Sequence, residues 1–207
     1  ISNSTNAVAN LTIGNSGSGA AVKTAGPVPS NVSLNNSESQ VFTYVYNATQ
    51  AGYVWFSGNA SGTDPVFGLV SSPVTASNGV LIETAASLST TISASPAVVS
   101  TGQVITVIMV ITNSGQADAL SACGVTPVAA GSGAAVLLTS PSYINITGNW
   151  AERFTWTYSA TSPGTIYFTS RAFGTDENSG DLRQTGIVSS SSIIIRNASD
   201  LIARIWA

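Results

Sequence analysis

The sequence contains no histidine and one cysteine, Cys123. Without histidine there is no Ser-His-Asp triad and no general base titrating near neutrality, and the commonest metal ligand is missing. A lone cysteine excludes an intrachain disulfide. Charge is scarce too: charged residues make up 7%, Lys23 is the only lysine, and the formal net charge is −3. No basic run exists to follow a phosphate backbone, so no nucleic-acid partner is expected. The longest apolar run, "VITVIMVI" at 104–111, is too short to cross a bilayer as a helix, and no membrane span is expected. No Gly-x-Ser-x-Gly elbow occurs. These absences point away from an enzyme and from a cofactor other than covalent N-glycans.

What fills the 207 residues is 43% hydrophobic, with Ser, Thr, Asn, Ala and Gly in place of charge. Disorder goes with low hydrophobicity and high charge, the opposite balance. Short runs rich in Val, Ile, Thr, Tyr and Phe lie between Gly, Pro, Asn and Ser clusters, which reads as all-β. Asn-x-Ser/Thr sequons begin at Asn3, Asn10, Asn31, Asn35, Asn47, Asn59, Asn145 and Asn197. Eight sequons on a chain this poor in charge predict a secreted, glycosylated surface, with a signal peptide already removed ahead of Ile1.

An internal repeat organises the chain. "FTYVYNATQAGYVWFSGNASGTD" (Phe42 to Asp64) aligns without a gap on "FTWTYSATSPGTIYFTSRAFGTD" (Phe154 to Asp176). Both copies share the spacing of Phe42/Phe154, Tyr46/Tyr158, Gly52/Gly164 and Phe56/Phe168, and both end in Gly-Thr-Asp. Each reads as a hairpin with its turn at Gly52 or Pro163-Gly164, one face buried and one wet, as in a two-sheet sandwich. Upstream, Asn-Ser-Gly at 15–17 matches Asn-Ser-Gly at 113–115. That match aligns Ala7, Ala9, Leu11 and Ile13 with Ile105, Val107, Met109 and Ile111. Downstream, "GVLIETAAS" matches "SIIIRNAS". Domains are predicted at 1–84 and 85–199, followed by a tail strand at 200–207.

The copies are not equal. A strand carrying Leu88, Thr90, Ile92 and Ala94 opens the second, and the first is expected to lack it. Beyond the second copy, Leu201, Ala203, Ile205 and Ala207 repeat that spacing. The tail thus reads as the opening strand of a domain the chain does not contain. A sandwich short of a strand exposes an apolar groove and unpaired backbone groups, which a neighbour's strand fills by β-addition. Four apolar side chains at roughly 1.5–3 kcal/mol each contribute on the order of 6–12 kcal/mol before ordering costs. The predicted partner is a second copy of the chain, joined head to tail, with Leu201, Ala203, Ile205 and Ala207 as donor strand. Ala7, Ala9, Leu11 and Ile13 would line the acceptor groove. Three alternatives stand beside this: the tail as an edge strand of its own domain, the tail as a short helix, or "NAVANLTI" as the donated strand.

Other candidates have plainer readings. Cys123 reads as a small buried apolar residue. "TDENSGD" (Thr175 to Asp181) has oxygens at calcium-like spacing but lacks the closing Glu of a Ca²⁺ loop, so a surface turn is preferred and no metal is expected. Lys23 in an isopeptide bond ranks below a solvated lysine. Tyr44, Trp55, Trp156 and Tyr167 would suit a carbohydrate-binding module only if exposed together, and alternating aromatics are usually core.

The segments "SPAVVSTGQVITVIMVITNSGQADA" and "FTWTYSATSPGTIYFTSRAFGTDENSG" resemble immunoglobulin-like modules of archaeal surface proteins. With the sequons and the orphan tail strand, the chain resembles the subunit of the archaeal thread filament. The resemblance implies two tandem immunoglobulin-like β-sandwiches, the N-terminal one lacking a strand. It also implies a glycosylated extracellular pilus built by donor-strand complementation, contacting other cells or surfaces. A monomeric or anchored surface-layer or adhesin ectodomain is the alternative.

Overall fold

A computed structural model describes the backbone of residues 4–14 and, in full, residues 19–35 and 37–199. Its regular elements are all strands, and the chain divides into two compact units, Ile1–Thr84 and Ala85–Ala207. The first unit holds β1 (Ser4–Gly14), β2 (Ala20–Val28), β3 (Val32–Leu34), β4 (Thr43–Gln50), β5 (Gly52–Asp64), β6 (Gly68–Ser71), β7 (Thr75–Ala76) and β8 (Val80–Ile82). The second opens with β9 (Leu88–Ser95), β10 (Val98–Ser100), β11 (Val104–Asn113), β12 (Ala119–Gly124), β13 (Val128–Gly131), β14 (Ala134–Thr139) and β15 (Ile144–Ile146). It continues through β16 (Trp150–Ser162), β17 (Gly164–Ser170), β18 (Ala172–Asp176), β19 (Leu182–Gln184), β20 (Val188–Ser189) and β21 (Ile193–Arg196).

In the second unit, alternation along the strands builds one sealed core. β11 buries Ile105, Val107, Met109 and Ile111, and β16, antiparallel to it, buries Phe154, Trp156, Tyr158 and Ala160. These belong to a sheet of order β14-β16-β11-β9. Against them lie Ile166 and Phe168 of β17, Ala172 of β18, and Ile193 and Ile195 of β21. β9 adds Leu88, Ile92 and Ala94 from the sheet edge. The packing is a β-sandwich: period-two side chains on two inner faces leave the intervening residues wet.

The hairpin turns fall where the sequence puts them. Gly52 and Gly164 have φ of 133° and 143°, a region that disfavours any side chain. Outward from these turns the two units repeat pair for pair. Gly52↔Ile82, Ser57↔Ala76 and Gly62↔Val70 match Gly164↔Ile195, Thr169↔Ser189 and Gly174↔Arg183. On the other sheet, Ala20↔Gln50 and Ala21↔Ala48 match Ala134↔Ser162 and Ala135↔Ala160, with a register shift at the same step.

β1 departs from the sequence expectation. Thr5↔Thr63, Val8↔Ser61 and Thr12↔Ser57 match Leu120↔Thr175, Cys123↔Phe173 and Val128↔Thr169, and the bulge after Thr5 matches the one after Leu120. β1 is therefore the counterpart of β12 and β13, not of β11 as the Asn-Ser-Gly triplets suggested. The spacing of Ala7, Ala9, Leu11 and Ile13 suits either place, because both are period two. Chain length decides between them. From Gly14 to Ala20 the chain makes a short connection like that from Gly131 to Ala134, whereas β11 lies two further strands upstream of β14. Among the described residues the first unit thus lacks counterparts of β9, β10 and β11, more than the single strand expected.

Candidate functional site

The strand places without a counterpart among the described residues border a groove in the first unit. It has a volume of about 510 Å³ and is lined by Phe42, Tyr44, Phe56, Ala60, Ser72 and Ser77, among others. The counterparts of its three aromatic residues are Phe154, Trp156 and Phe168, exposed by 1%, 1% and 0%. Phe42, Tyr44 and Phe56 are only half-buried. The difference is not in how they pack on each other. Tyr46 and Phe56 rings lie 4.7 Å apart at 51°, and Tyr158 and Phe168 lie 4.6 Å apart at 49°. What differs is the cover. Among the first-unit residues whose side chains are described, Val54 is the only buried hydrophobic one.

The strand at the groove's lip is shortened as well. β16 has two strand neighbours, β11 and β14, whereas among the described residues β4 pairs with β2 alone. β16 runs for 13 residues and β4 for 8. Residues 38–42, counterparts of 150–154, form no strand. A strand needs a ladder to hold it extended, and among the described residues β4 has one on one side only.

The opposite wall carries hydroxyls that the sequence reading did not single out. Ala60 N–H donates to Ser72 Oγ at 2.9 Å and Phe56 N–H to Ser77 Oγ at 3.0 Å. Ala172 to Thr185 and Phe168 to Ser190 repeat these bonds at 2.9 Å each. Both pairs satisfy backbone donors where the short edge strands break. The only sequence signal is a hydroxyl residue recurring at the same distance from the repeat.

The shared Gly-Thr-Asp ends form a second repeated device. Asp64 Oδ1 accepts the N–H groups of Val66 and Phe67 at 2.7 and 2.9 Å. Asp176 Oδ1 accepts those of Asn178 and Ser179 at 3.1 and 2.8 Å. Asp176 is 1% exposed, and its Oδ2 also receives the N–H of Ala86 at 2.6 Å, just ahead of β9. Burial raises the Asp176 pKa, yet the net shift is downward. The N–H groups of Ser179 and Ala86, the Ser179 side chain and Arg183 together outweigh it. The segment leading into β9 is held again by Asn113, whose Oδ1 accepts the Ser87 N–H at 3.0 Å.

The donor residues Leu201, Ala203, Ile205 and Ala207 lie outside the described residues, as does Asn3. Ala7, Ala9, Leu11 and Ile13 lie on β1, beside β5 rather than β4; their side chains, like that of Asn10, are outside the description. Asn31, Asn35, Asn47, Asn145 and Asn197 are exposed, and Asn59 is half-buried at the position of the exposed Arg171. Asn145 also accepts the Ser121 N–H at 2.9 Å. The four aromatics share no platform: Trp156 is sealed in the second core, while Tyr167 is 38% exposed. Lys23 Nζ sits 5.9 Å from the Tyr44 ring centroid, a cation–π contact. In "TDENSGD" the Asp176 carboxylate is occupied by backbone donors, and among the described residues no group of three His, Cys, Asp or Glu is placed to hold a metal. No protein-family model and no curated protein matches the chain.

Proposed function

We propose that the chain is a structural subunit of an extracellular, glycosylated filament. It polymerises head to tail by donor-strand complementation, serves adhesion or cell-to-cell contact, and has two immunoglobulin-like modules. The observation that carries this reading is one register present twice, complete in the second unit and, among the described residues, short of β9 and β11 in the first. An aromatic groove that a sister domain fills with its own strands is a site for strands. Among the described residues two strand places are open, and residues 201–207 of a neighbour repeat the spacing of the inward set of β9. In the assembled state the neighbour's tail enters the groove beside Phe42, Tyr44 and Phe56, while residues 4–14 stay beside β5. The contact is heterologous, so repetition extends a fibre rather than closing a dimer.

The test is the double variant Leu201→Asp/Ile205→Asp, which places two carboxylates where apolar side chains should be buried. Native material should appear as thin, unbranched fibres in negative stain, with an intact mass above the bare 21.0 kDa. The variant should give no fibres while the second unit still folds. Fibres from the variant would reject the reading.

A further inference from the structure

The filament reading leaves open what fixes the register of an incoming strand; the inference below rests on that reading. In the second unit the chain entering β9 is held by Asp176, whose Oδ1 closes its own turn while Oδ2 takes the Ala86 N–H. Asp64 closes the same turn with Oδ1 through the matching residues, Val66 and Phe67. Among the described residues no N–H reaches its Oδ2. The first unit therefore carries the same receptor with one donor missing.

The repeat identifies that donor. β8 and β21 pair with β5 and β17 in the same register, Val80↔Val54 matching Ile193↔Ile166. Counting on from them, Ala85-Ala86 corresponds to Ala198-Ser199, and Leu88 to Leu201. Ser199 follows β21 and is exposed. We infer that Asp64 is the docking point for a second copy, whose Ser199 N–H donates to Oδ2 as the Ala86 N–H does to Asp176, setting the register in which Leu201 enters the groove.

The turn beyond Asp64 agrees with a covered junction. It exposes Val66, Phe67 and Leu69 by 80%, 83% and 81%. The corresponding turn of the second unit carries Asn178, Ser179 and Leu182, polar at two of those three positions. Apolar residues clustered beside an unfilled carboxylate are what a surface buried on assembly presents.

The experiment uses the full-length chain, refolded as a monomer, and a synthetic peptide of residues 196–207. A second peptide carries an ester oxygen in place of the Ser199 N–H, which removes the donor and little else. Binding is read by titration, with groove residues monitored by NMR. A hydrogen bond to a carboxylate predicts that the ester weakens binding about tenfold to a hundredfold on the native chain. On Asp64→Ala the two peptides should bind alike, closing a double-mutant cycle. If the amide peptide binds the groove and the ester binds equally well to the native chain, the Asp64 inference is overturned while the donated-strand reading stands. If neither peptide reaches the groove, both fall. The ester comparison on the native chain decides the matter even if Asp64→Ala unfolds.

Discussion

Two residues of the second unit invite direct measurement. Cys123 is buried, and burial raises its thiol pKa, only partly opposed by a bond from the Gly124 backbone. A thiol held neutral away from solvent reacts slowly, so Ellman's reagent should label Cys123 only when the unit unfolds. Rapid labelling of the folded chain would contradict the sealed core. Asp176 is the stronger case. Its folded pKa is lowered from 3.8, so the unfolded state binds the proton more readily. Asp176 therefore adds stability that is fully present above the unfolded value and is lost as pH falls through the folded one. Asp176→Ala leaves the buried Ala86 N–H without its acceptor. It should cost about 3 kcal/mol at neutral pH and flatten the acid limb of urea unfolding followed through Trp156. An unchanged limb would mean that the carboxylate is not coupled to folding.

At the level of elements, local pattern was legible and long-range placement was not. Alternation located β4, β5, β16 and β17, and glycine located their turns, because both signals depend on a few neighbouring residues. The gapless match from Phe42 to Asp64 carried the equivalence of the two hairpins even to ring geometry. β1 defeated the same approach. Its alternation satisfies two strand places, and the Asn-Ser-Gly triplet drew it to the wrong one; the connection to β2 was the better guide. Phe42, Tyr44 and Phe56 were not among the residues expected to line a groove, and its wall of Ser72 and Ser77 was not foreseen either, since a hydroxyl bridging a strand break leaves no periodicity. The placement of β1 can be tested with cysteine pairs in a Cys123→Ala chain. Directly opposed strand residues bring Cβ atoms within disulfide reach. Ala9→Cys with Ala60→Cys should close within one chain, where these residues pair. Ala9→Cys with Tyr44→Cys, the pairing that Val107 makes with Trp156, should not close within one chain. There β1 and β2 would run parallel along β4, and the stretch from Gly14 to Ala20 is too short for a parallel crossover. Closure of the Tyr44 pair within one chain would put β1 in the place of β11 and reject the register in which it pairs with β5.

For the molecule as a whole, the strand places without a counterpart among the described residues can be filled by design. The first strand described, β1, starts in the register of the second unit at the counterpart of Ala119, since Ser4↔Leu34 matches Ala119↔Ile146. The stretch that would precede it is known from the same chain: residues 85–118 carry the segment on Asp176, then β9, β10 and β11. A copy of residues 85–118 fused ahead of Ser4 would supply both strand places in cis, with its Ala86 counterpart available to Asp64 and its β11 alongside β4. Intramolecular strands act at high effective concentration and should exclude a neighbour's tail. On the proposed filament reading, the fused chain should remain monomeric at concentrations where the native chain forms fibres. Amide exchange at residues 38–42 should slow as β4 lengthens toward the 13 residues of β16. If it stays monomeric without that protection, the added segment blocks assembly from outside the groove. If it gains the protection and still forms fibres, the groove is filled but is not where subunits join, and the donated-strand reading fails.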